Sequence, residues 1–114
     1  MTYTDTIVAL ATAPGLGAIA VIRLSGPNAI EIVGKSFSKK SLVKQPTHTV
    51  HFGKLISGTD VIDEVVVSLY RAPRSYTGEE VVEISCHGAP LIQDSILQLM
   101  IDLGARMAKP GEFT

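Results

Sequence analysis

The 114-residue sequence predicts an α+β domain: a mixed β-sheet of about five strands with two or three helices, the helices covering one side of the sheet. Three observations carry this. β-branched segments recur along the chain, two segments carry helical spacing instead, and the order reads ββαββ, then βα, with a further strand at the end. Hydrophobic residues at 46%, charged residues at 18% and a mean hydropathy of +0.30 belong to a folded chain, and the length suits one core. Aromatic residues are 5% and Trp is missing, so that core must be built from Val, Ile, Leu and Ala.

Taken in order, Thr6-Ile-Val-Ala-Leu-Ala-Thr12 and Ala18-Ile-Ala-Val-Ile-Arg-Leu24 are apolar on both parities, the pattern of strands buried on both faces. Pro14, Gly15 and Gly17 interrupt the charge-free stretch from Thr6 to Ile22, which therefore reads as two strands and a turn and not as a membrane span. Pro27 suits a first helical turn, and Ala29, Ile30, Val33 and Phe37 predict a short helix to about Ser38. Lys39 to Thr47 is polar, carries Pro46 and reads as a surface loop. His48 to Ile56 and Val61 to Tyr70 flank the turn cluster Ser57-Gly-Thr-Asp60 and predict a hairpin. After the loop Arg71 to Glu80, a strand from Val81 to His87 separates its faces: Val82, Ile84 and Cys86 on one, Glu83, Ser85 and His87 on the other. Pro90 opens a helix whose apolar positions run to Leu103 at a 3.6 period and stop at Gly104; Ala105 to Ala108 begin another strand.

Ten Lys and Arg against eleven Asp and Glu give a formal charge of -1, which argues against a strongly basic nucleic-acid binder. The one cysteine, Cys86, needs no oxidising compartment, and the start Met1-Thr-Tyr-Thr-Asp5 lacks a positively charged leader. The expected setting is the cytoplasm, without a membrane partner. Gly15-Leu-Gly-Ala-Ile-Ala20 fits a loose dinucleotide pattern, but a strand-like run follows it where a helix is required. Gly34-Lys35-Ser36 lacks the earlier glycine of a phosphate loop, since Ala29 stands there. Cys86 and His87 point to opposite faces and make no nucleophile–base pair; Ser85 lacks a nucleophile elbow, and no acid partner for His87 is evident. His48 and His51 are faced apart on a strand and read as surface residues, not as metal ligands. Lys35, Lys39, Lys40 and Lys44 form the one basic cluster, read as a solvated loop with RNA phosphate contact as the alternative.

Two positions stand out. Arg23 lies within an apolar strand, and Glu83 sits in Val81-Val-Glu-Ile84, where a carboxylate is costly unless partnered. Either each is a rim residue, or the two satisfy one another, or they bind a planar, nitrogen-rich ligand whose amino-pyrimidine edge donates to the carboxylate.

Three separated segments resemble one family in the same order: Asp5-Thr-Ile-Val-Ala-Leu-Ala-Thr-Ala-Pro-Gly-Leu-Gly-Ala-Ile-Ala-Val-Ile-Arg-Leu-Ser-Gly26, Tyr76-Thr-Gly-Glu-Glu-Val-Val-Glu-Ile-Ser-Cys-His-Gly88 and Lys109-Pro-Gly-Glu-Phe-Thr114. The chain resembles the MnmE (TrmE) family of tRNA modification GTPases. The resemblance implies that residues 1–114 are an N-terminal domain, similar to the tetrahydrofolate-binding domain of aminomethyltransferases, followed in the longer protein by helical and GTPase domains. It implies binding of a 5-formyl-tetrahydrofolate-like ligand and homodimerisation. By the same resemblance, GTP, Mg and K would belong to the GTPase domain alone. The longer protein, with the FAD-containing MnmG, would modify the wobble uridine of tRNA. By motif position the implied ligand contacts fall on Arg23 and Glu83, with a lysine downstream of Thr114 as a third, and Leu16 departs from the arginine often seen there. Other expectations are a folate-dependent one-carbon transferase and a tRNA-binding module.

Overall fold

A computed structural model of the chain describes residues 5–12, 15, 17–39, 41–73, 75 and 78–113. Its elements are β1 (Ile7–Leu10), β2 (Ile19–Ser25), α1 (Ala29–Gly34), β3 (Thr49–Ser57), β4 (Asp60–Tyr70), β5 (Val81–His87), α2 (Pro90–Asp102) and β6 (Arg106–Met107). The strands form one mixed sheet in the order β3-β4-β5-β2-β1-β6, in which β6 joins β1 in parallel and the other pairs are antiparallel. The α+β architecture is the predicted one, with six strands where the sequence suggested about five. The sixth is the further strand expected from Ala105 to Ala108, here only two residues long.

The strand parity that separated Val82, Ile84 and Cys86 from Glu83, Ser85 and His87 is the parity of the core. Val8, Ile22, Leu24, Val67, Leu69 and Ile84 are fully buried, and with Val33, Ile96 and Met100 from the helices they form one cluster. Both helices therefore pack on the same face of the sheet. At roughly 25 cal/mol per Å2 of apolar surface, each such side chain stabilises the fold by about 2 kcal/mol.

Two segments differ from expectation for a shared reason. Helix α1 stops at Gly34, not near Ser38, because residues 36–38 pair with the exposed edge of β3: Ile56 donates to the Ser36 carbonyl at 2.9 Å and Ser38 to that of Lys54 at 2.9 Å. Phe37 bridges to Leu55, and its ring takes the space a side chain at Gly53 would need, 2.7 Å from that Cβ. The segment read as a surface loop holds a 3-10 turn at Leu42–Lys44 whose Leu42 is buried. A single apolar residue in a polar stretch carries no periodicity, so only packing reveals it. No helix among the described residues is long and apolar enough to cross a membrane.

Candidate functional site

The sheet face opposite the helices carries the polar residues. Register places Arg23 beside Glu83, Val21 beside Ser85 and Ile19 beside His87, with Ser68 and Val66 of β4 on the far side of Glu83 and Ser85. Arg23 donates from Nε to Glu83 Oε2 at 2.9 Å, and its Nη2 stands 2.8 Å from the same oxygen. The side chains are 28% and 21% exposed. The two residues singled out by their cost in an apolar strand thus lie side by side, so that mutual satisfaction is met. The pair is partly exposed, so a molecule docking on this face can reach its charged atoms.

The C-terminal segment reaches the pair. The ring of Phe113 lies 5.9 Å from the Arg23 guanidinium carbon, and Ser25 Oγ donates to Glu79 at 3.4 Å at the same end of the face. Phe113 is positioned by its neighbour Glu112, which accepts from Arg106 of β6 and from the Lys109 backbone N–H at 2.7 Å. Those bonds, Arg106 first, pull the Glu112 carboxyl down to about 2 and hold the Arg106 guanidinium above its ordinary value. Asp5 Oδ2 accepts a hydrogen bond from Arg106 Nε at 2.9 Å, so both ends of the described chain are fastened at this edge. Arg23, Glu83 and Phe113 make a carboxylate, a cation and an aromatic face within one small area, the set that fits a flat heterocycle with donor N–H groups.

The opposite end of the same face holds His87, for which the sequence offered no acid partner. The fold supplies one, and that expectation is corrected: Asp63, 9% exposed, accepts the His87 backbone N–H at 2.8 Å and the ring Nδ1 at 2.7 Å. The two residues are 24 positions apart on different strands, which no local pattern could link. Cys86 points the other way, into the core, as its parity required. Burial, and secondarily Asp63, pushes its thiol from 9.0 up to about 11. A raised value favours the protonated folded form, so this contribution to stability is complete below about pH 9 and is lost as pH rises through about 11. Alkylation of Cys86 by iodoacetamide at about pH 8 should be far slower in the native protein than in denaturant. Equal rates would show an accessible thiol.

Comparison with known proteins adds the decisive observation. Residues 6–114 match the family described as GTP-binding protein TrmE N-terminus. The chain belongs to the TrmE N-terminal family. It is 60% identical over 117 aligned residues to a protein of Christiangramia forsetii named tRNA modification GTPase MnmE, covering 100% of the chain and 25% of that protein. Proteins of the same name from Cytophaga hutchinsonii and Salinibacter ruber are each 54% identical, over 98% and 100% of the chain and 24% and 25% of their own length. The chain spans about a quarter of the length of these relatives.

Within this TrmE N-terminal domain, other sequence candidates stay apart from the Arg23–Glu83 pair. Lys35, Lys39 and Lys44 are exposed, while Lys40 and Leu16 lie outside the described residues. His48 accepts or donates at Thr47 and meets Tyr70 edge-on, and His51 meets Thr49. Strand β2 succeeds Gly17, with no helix N-terminus for a pyrophosphate. A cleft of about 760 Å3 lies between Pro27 and Ile30 of the α1 end, Val43 and Arg71. Arg71 is committed there to the carbonyls of Gln45 and Val43 and to Glu80, which ties three segments together.

Proposed function

We propose that this domain binds a tetrahydrofolate derivative of the 5-formyl type at Arg23 and Glu83 and joins two copies of a longer tRNA-modifying GTPase. The carrying observation is the Arg23–Glu83 pair on the uncovered sheet face with Phe113 beside it. In this reading Glu83 accepts from the amino-pyrimidine edge of the pterin, Arg23 holds that carboxylate in place, and Phe113 offers its face to the ring. The relatives' name supports tRNA modification as the setting. The wobble uridine as target, MnmG with its FAD as partner, the cytoplasm as compartment, and GTP with Mg and K in a separate GTPase domain rest on the family resemblance. Residues 1–114 then form one folate-binding and dimerising domain.

The bound folate would supply a one-carbon unit; the residues of this chain would recognise and orient it. Val50, 66% exposed, stands on the same open face at the β3 edge and suits contact with a second copy. Titration calorimetry with 5-formyl-tetrahydrofolate tests the reading, run on this chain and on a version extended past the downstream lysine. Saturable heat is expected from the extended protein, and sedimentation should show a dimer. No heat from either version would overturn the folate reading.

A further inference from the structure

We infer that His87, fixed by Asp63, is the anchor for the anionic tail of the ligand whose head is read at Glu83; this rests on the folate reading. Glu83, Ser85 and His87 alternate onto the same face of β5, which puts the His87 end roughly 13 Å from Glu83 at about 3.3 Å per residue. A tetrahydrofolate is built to that plan. Its flat head carries the N–H edge, its middle is an aromatic ring, and its far end is a glutamate with two carboxylates.

The surface between the two ends fits the middle. Val21 and Ser85 lie side by side there, Val66 adjoins Ser85, and Phe52 is in register with Val66. A small depression of about 180 Å3 opens at the His87 end, walled by Ile19 and Phe52. It offers apolar cover to an aromatic ring and a polar stop beyond it.

The Asp63–His87 contact has a part that strand closure does not account for. The bond from the His87 backbone N–H to Asp63 Oδ2 closes the end of β5. The second bond, to Nδ1, immobilises a ring whose side chain remains 69% exposed, which costs side-chain entropy without covering apolar surface. With the carboxylate accepting, Nδ1 carries a proton and Nε2 is left to engage a ligand from the exposed side chain. In the imidazolium form Nε2 donates as well, and a carboxylate is its natural acceptor.

The charged groups around the ring set the conditions. From β4 come Asp63 and Glu64, the latter lining the same depression; β3 brings Lys54, in register with Glu64; Cys86 of β5 faces the core, and among the described residues the lining on the β2 side, Ile19 and the preceding Ala18, is uncharged. Glu64 opposes an anionic tail, so its neutralisation should tighten the complex.

The test compares two probes on the full-length protein: 5-formyl-tetrahydrofolate and 5-formyl-tetrahydropterin, which has the head and no tail. His87→Gln should lose about tenfold or more in affinity for the tailed probe and leave the tailless one unchanged. Glu64→Gln should strengthen binding of the tailed probe alone. Equal effects of His87→Gln on both probes, or none on either, would overturn the tail anchor while leaving the head site standing. Absence of binding of either probe to the wild type would overturn the folate reading and the anchor with it.

Discussion

Glu83→Gln is expected to weaken 5-formyl-tetrahydrofolate binding by about 1.5–3 kcal/mol, the scale of a charge-assisted hydrogen bond, or roughly ten- to a hundredfold in Kd. The amide keeps the shape of the side chain but presents a donor where the ligand also donates. It also removes the charge opposite Arg23, whose Nε and Nη2 both engage Glu83 Oε2. The pair is partly exposed, so the loss of fold stability should stay near ~1 kcal/mol, well below the cost of breaking a deeply buried pair. Calorimetry and urea unfolding on the same variant separate the two effects. Unchanged affinity with lowered stability would reduce the pair to a strut within the sheet and remove Glu83 from the site.

Gly88→Ala is expected to be strongly destabilising. A Cβ at Gly88 would lie 2.2 Å from the Gly17 carbonyl oxygen and 2.6 Å from its carbon, closer than any real contact. The backbones are held together there, Gly17 donating to the Gly88 carbonyl at 3.0 Å and Gly88 to that of Ala18 at 3.3 Å. Either those bonds open or the β2–β5 register at Ile19 and His87 shifts, at a cost of about 2–4 kcal/mol. Gly17→Ala is the control: nothing lies within 4 Å of its added methyl, and the change should stay within about 0.5 kcal/mol. Urea midpoints of the two variants settle the asymmetry, and equal losses would show that glycine at 88 is not set by this approach.

Features that repeat locally are legible in the sequence. The period-two split of Val81–His87 assigned Cys86 to the core and Glu83 and His87 to the other face, and the apolar spacing after Pro90 predicted helix α2. Arg23 and Glu83 were legible as anomalies, because charge in an apolar strand conflicts with its neighbours. Their pairing was one of two open readings, since adjacency depends on β2 lying next to β5 and not beside some other strand. Phe37 shows the limit of a local rule: its spacing fits a helix, yet the edge of β3 draws residues 36–38 into pairing.

The sequence by itself determined the α+β class, the main strands and helices, the two faces of β5, and Arg23 and Glu83 as anomalies; β2, read as buried on both faces, in fact has one open face, with Ile19 65% exposed. Only the tertiary structure decided which distant residues meet. It joined Arg23 to Glu83 across 60 positions, brought Asp63 to His87 across 24, and set Phe113 over Arg23. The physical reason is that periodicity encodes a residue's direction relative to its own backbone, whereas partnership across strands is fixed by register. Register comes from the summed burial of the helix-covered sheet face and from contacts such as Gly17 against Gly88, which belong to no single segment.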